Sequence, residues 1–123
     1  MNMKPEVKNW LEQAEHDIDV AEYNFDGNML DAAAFYSQQA AEKALKSLYI
    51  SKFNELWGVH DLVRIAKRVE APTKIVRLCA KITPGYTGTR YPDVCKEYDR
   101  RDVEEILRGA KEVLEWVKRD LNL

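Results

Sequence analysis

Along the first third of the chain, apolar residues fall at Val7, Leu11, Ala14, Ile18, Ala21 and Phe25, in alternating steps of four and three. That spacing puts them on one stripe of a helix and predicts a long first helix with a bundle-type seam. Pro5 suits its first turn, where a missing N–H costs nothing. The stop is expected near Asp26-Gly27-Asn28, a turn cluster whose glycine can take the left-handed position beyond a helix end. The same steps resume at Leu30, Ala34, Ser37, Ala41, Ala44 and Leu48. Two long helices joined by so short a turn pack as an antiparallel hairpin. Ala32, Ala33, Ala34, Ala40, Ala41 and Ala44 would let neighbours approach the second helix on several sides, which marks it as the central one.

Beyond Phe53, the stretch 54–59 reads as a connection before helical spacing returns at His60-Asp61-Leu62-Val63-Arg64-Ile65-Ala66. Ala71-Pro72-Thr73 breaks that short helix, and Thr73 is a candidate cap for another running through Ile75, Leu78, Cys79 and Ile82 to Pro84-Gly85. The segment "TPGYTGTRYPDV" then reads as a loop. A final helix follows, capped by Asp99 or Asp102, with a seam of Val103, Ile106, Ala110, Val113, Val117 and Leu121. No stretch alternates with period two, so no sheet is expected. The pattern describes an all-α, up-and-down helical bundle of three long and two short helices.

At 123 residues the chain is expected to form one domain, residues 1–123, around one core. No apolar run approaches the roughly 20 residues that span a bilayer, and the first residues show no apolar leader, so no membrane role and a cytoplasmic location are expected. Cys79 and Cys95 are too far apart for a CxxC motif, and with His16 and His60 they make no convincing four-ligand set, so neither a metal nor a cofactor is expected. The net charge of −2 is unevenly spread: −6 over residues 1–31, +6 over 32–101 and −2 over 102–123. A basic middle can present a phosphate-binding patch, or it can attract the acidic helices beside it.

The commonest catalytic motifs, including P-loop, GxSxG and HExxH, are absent. Glu12 and His16 lie off the first helix's seam, with no second copy of the pairing that a bundle di-metal site needs. His60 and Arg64 lie four apart at the expected start of the third helix and would share a face. In the loop, Arg90 is flanked by Tyr86 and Tyr91, with Gly85 and Gly88 nearby. An arginine fork can hold phosphate and a tyrosine face can stack on a base, while the same residues can equally fix a structural crossover.

The stretches "WLEQAEHDIDVAEYNF", "AAAFYSQQAAEKALKSLYI", "HDLVRIAKRV" and "TRYPDV", in that order, resemble the HEPN domain family over about residues 7–120. The resemblance implies a helical bundle, a homodimer, and a small protein that acts beside a minimal nucleotidyltransferase as a toxin and antitoxin pair. It also implies binding of a nucleotide or RNA. Many members are metal-independent ribonucleases that use an Arg-x(4 to 6)-His motif. Here both histidines precede Arg64, the first arginine of the chain, so that motif cannot form. The expectation is therefore a non-catalytic binder using Arg90, Tyr91, Lys43, Lys46, His60 and Arg64. A divergent ribonuclease and a purely structural interaction bundle are the alternatives.

Overall fold

The computed structural model describes residues 3–90 and 98–123, with side chains described through Thr83 in the first stretch. Five helices appear in it: α1 (Pro5–Asp26), α2 (Leu30–Phe53), α3 (Leu62–Arg68), α4 (Thr73–Arg90) and α5 (Arg100–Asp120). No strand occurs among the described residues. None of the helices is long and apolar enough to cross a membrane.

The expected seam of α1 is buried from Val7 to Ala21, with Phe25 half-buried at its end. α1 and α2 form the antiparallel hairpin, and α2 touches every other helix. Ala33, Ala34, Ala40, Ala41 and Ala44 are fully buried, so backbone and neighbour meet across one methyl group on several sides. Around them pack Leu45, Leu48, Ile65, Ile82, Val103 and Val113. The buried hydroxyls of Ser37 and Ser47 donate back to the carbonyls of Ala33 and Ala44, at 2.7 and 2.6 Å, so neither is left unpaired in the core.

The turn between α1 and α2 departs from expectation in one residue. Gly27 keeps an ordinary φ of −82°, and Asn28 takes the left-handed conformation at φ 61°. The amides of Asn28 and Met29 then reach back to Phe25 and Asn24, closing the helix end. Arg100 finishes this corner: its guanidinium lies 4.1 Å from the centre of the Phe25 ring and donates to the Phe25 carbonyl and to Asn28 Oδ1. A cation at the negative end of α1 is favoured by the helix dipole.

Three further boundaries differ. His60 lies outside α3, because the Asp61 carboxylate accepts from the amides of Val63 and Arg64 and so starts the helix at Leu62. Thr73 is the first residue of α4 rather than its cap; the Pro72 carbonyl receives the amides of Ile75 and Val76. The stop expected at Pro84-Gly85 does not occur, and α4 continues for 18 residues to Arg90, a full helix where a short one was expected. Proline removes one hydrogen bond from a helix interior but does not by itself end one that is packed against neighbours. α4 is so packed, against α2, α3 and α5.

Gly109 sits where α5 crosses α4. A Cβ added there would meet Ile82 and Leu78 side chains at 3.6 Å, which is ordinary contact. Glycine in a helix interior costs about 0.5–1 kcal/mol relative to alanine. Gly109→Ala should therefore raise unfolding stability by about 0.5–1 kcal/mol, read as a higher urea midpoint at unchanged slope.

Cys79 is fully buried on α4, and burial pushes its thiol up to about 12 from the ordinary 9.0, with Asp61 adding to the shift. A raised folded-state value means that the folded chain holds this proton more tightly than the unfolded one. The stabilisation is complete below about pH 9 and is lost as pH rises toward 12. In a Cys95→Ser variant, Cys79 should resist a thiol reagent at neutral pH and react only once urea unfolds the chain.

Candidate functional site

Along its middle, α2 carries Gln38, Glu42 and Lys46, each one helical turn apart and all buried. Glu42 joins them. Its Oε2 accepts from Lys46 Nζ at 2.9 Å, and its Oε1 accepts a long hydrogen bond from Gln38 Nε2 at 3.4 Å. Gln38 Oε1 in turn accepts from Gln39 Nε2 at 2.9 Å. The α2–α3 connection then brings His60 Nδ1 to 2.9 Å from the same Glu42 Oε2. The His60 side chain itself is 64% exposed. A carboxylate at Nδ1 selects the tautomer with the proton there and leaves Nε2 as an outward acceptor.

Lys46 is also held from α1. Its ammonium lies 5.7 Å from the centre of the Trp10 ring, so one buried cation sits between an indole and a carboxylate. Lys43, three residues earlier, faces Asp17 of α1, with 2.7 Å between Nζ and Oδ2. That oxygen is buried and accepts no aligned hydrogen bond, so the contact is an ion pair held by charge rather than by direction. The two lysines expected to offer ammonium groups to phosphate are thus both engaged by carboxylates, Lys46 wholly inside the bundle.

Arg64 stands on a different support. Its guanidinium lies 5.3 Å above the Trp57 ring, Trp57 stacks on Tyr49 at 5.4 Å, and Tyr49 meets Phe53 at 4.7 Å. Arg68, one turn on, lies 4.2 Å from the Phe53 ring centre. Burial, with the hydrogen bond that the Tyr49 hydroxyl donates to Glu55, raises the Tyr49 pKa and keeps the phenol protonated. Arg64, Lys67 and Arg68 are all exposed, and among the described residues none has a carboxylate within ion-pair distance.

The structure thus brings Lys46 and His60 together on Glu42, keeps Lys43 beside them on Asp17, and sets Arg64 on α3. Arg90 is the last residue of α4; its side chain and the whole of Tyr91 lie outside the described residues. Glu42, Gln38 and Trp10 were not singled out by sequence reasoning. For Gln38 and Glu42 the signal was there in part, as polar residues four apart on a helix whose alanines demand burial. Among the described residues, no three His, Cys, Asp or Glu side chains come close enough to hold a metal ion.

The HEPN domain profile matches residues 7–120 of the chain. The chain belongs to the HEPN family. Similar proteins bear this out: the crystal structure of ST0689, described as an archaeal HEPN homologue, superposes with a TM-score of 0.81 at 34% identity, covering 95% of this chain and 98% of that one. TT1696 from Thermus thermophilus gives a TM-score of 0.86 at 28% identity, covering 94% and 98%. "Putative toxin MJ1304" of Methanocaldococcus jannaschii is 29% identical over 130 aligned positions, covering 91% of this chain and 86% of that protein.

Within this HEPN bundle, Glu42 is the residue on which the polar cluster depends. Removing one partner of a buried ion pair costs about 3–5 kcal/mol, because the other charge is left uncompensated. Glu42→Ala should destabilise the protein by that amount in urea unfolding. Replacing both partners, Glu42→Leu with Lys46→Met, should recover most of the loss.

Proposed function

We propose that this HEPN protein is one half of a toxin-antitoxin-like pair and binds a nucleotide or RNA without cutting it. In this reading it works as a cytoplasmic homodimer with a minimal nucleotidyltransferase as partner. Family membership and the toxin name of a relative at 29% identity support the pairing. The observation that carries the binding half is the outer face of α3. Among the described residues, Arg64, Lys67 and Arg68 are cations with no carboxylate within ion-pair distance; two of them lie over aromatic rings, and the exposed His60 precedes the helix in the chain. Exposed cations of this kind are what single-stranded RNA-binding surfaces use, charge for the backbone and the plane of an arginine for a base to stack on. Arg90 and Tyr91 remain binding candidates in this reading on their residue types alone.

The reading without cleavage rests on the sequence: no histidine follows any arginine, so the family's Arg-x(4 to 6)-His pair is missing. One observation favours a second reading. His60 is oriented by a buried carboxylate with Nε2 outward, the arrangement that acid–base catalysis asks of a histidine.

Binding of a labelled oligoribonucleotide should weaken in Lys67→Ala and in Arg64→Ala, with the salt dependence falling by about 0.7–1 per cation removed. Unchanged affinity in both variants would remove α3 from the site. Incubating the same RNA without metal should leave it intact; cleavage that vanishes in His60→Ala would make the protein a ribonuclease.

A further inference from the structure

A groove of about 280 Å³ opens beside Trp10, lined also by Asn9, Gln13 and Lys43. Its size falls at the lower edge of small-molecule sites, which run from about 300 to 1,000 Å³, so it suits one ring system rather than a whole dinucleotide. Its chemistry is equally specific. Trp10 is half-buried, with the Lys46 ammonium set against its ring. Asn9 and Gln13 are exposed one turn apart on α1 and offer amide donors and acceptors on the same side. Lys43, the one charged residue in the lining among the described residues, has its charge matched by Asp17 at 2.7 Å. A groove so balanced has little pull on a free phosphate. A flat, uncharged, hydrogen-bonding ring fits it better.

We propose that the Trp10 groove is a nucleobase subsite, in which one base of a single-stranded RNA stacks on the indole while Asn9 and Gln13 meet its hydrogen-bonding edge. This deepens the RNA-binding reading above and rests on it. The groove is joined to the exposed histidine through three contacts: Trp10 to Lys46 at 5.7 Å, Lys46 to Glu42 at 2.9 Å and Glu42 to His60 at 2.9 Å. The base would therefore sit on α1 while its backbone runs toward His60 and the cations of α3. Stacking on an aromatic side chain is tolerant of base identity, and the two amides supply what preference there is.

The test is binding of a short oligoribonucleotide and of an abasic oligomer of the same length to the wild-type protein and to Trp10→Ala, Trp10→Phe and the pair Asn9→Ala with Gln13→Ala. Wild type should bind the base-bearing oligomer about tenfold or more tighter than the abasic one. Trp10→Ala should lose that difference while keeping its affinity for the abasic oligomer, and Trp10→Phe should retain most of it. The amide pair should stay folded, both residues being exposed, and should flatten differences among poly-A, poly-U and poly-C. Wild-type affinity for base-bearing RNA in both Trp10 variants, with Lys67→Ala still weakened, overturns the subsite and leaves the α3 reading standing. No binding of either oligomer to wild type overturns both.

Discussion

The rest of the molecule depends on how closely other helices can approach α2. Five of its alanines are fully buried, and a methyl group is the largest thing that separates its backbone from α1, α4 or α5 at those points. Close approach on several sides leaves little of α2 in water. A polar residue that would be solvated on an ordinary amphipathic helix is here forced inside, where an unpaired charge is costly. Gln38, Glu42 and Lys46 are the residues so trapped, and the chain from Gln39 to His60 is how they are satisfied. The alanine content and the buried polar cluster are one feature seen from two sides.

The uneven charge along the chain follows the same logic. The acidic first helix is drawn to its neighbours by Asp17 with Lys43 on α2, and by Glu22 with Lys111 and Glu15 with Lys118 on α5. The latter two are substantially exposed and each contributes roughly 0–1 kcal/mol. Their collective effect is to use up the cations that face α1. Among the described residues, Arg77 on α4, Arg101 on α5 and Arg64, Lys67 and Arg68 have no carboxylate within ion-pair distance, and the last three are gathered on α3. There the guanidinium groups rest on Trp57 and Phe53 instead of on carboxylates. Such contacts hold their direction without cancelling their charge.

The seams of α1, α2 and α5, the hairpin and the central position of α2 are all legible in the sequence, because each rests on a periodicity that tertiary packing reinforces. Boundaries are less so. Pro84-Gly85 is a stop by local preference alone, and packing of α4 against three helices overrides it. His60 has helical spacing, but Asp61 takes two of the free amides of the first turn and starts the helix after it. Lys43 and Lys46 read as surface cations because their partners are invisible locally: Asp17 comes from another helix, and Glu42 is buried only once the bundle closes. The legible part of the candidate site is therefore its residue types, and the hidden part is which of them have charge left to spend.

That last distinction bears on how a buried ion pair can serve a surface site. Lys46 has no ammonium in water to offer a ligand, yet it sets the position of two groups that do reach the surface. On one side its charge fixes the Trp10 ring; on the other it shares Glu42 with His60. A solvated lysine in its place would let both drift by the ordinary freedom of exposed side chains. Held between an indole and a carboxylate on a rigid helix, it gives the two ends a fixed separation, which recognition of a base and its adjoining phosphate requires. The desolvation cost of the pair is offset within the cluster by hydrogen bonds to Gln38 and His60. Stability alone would be met as well by two apolar residues of similar volume. A charged pair in that position is better explained by the groups it orients than by the stability it contributes.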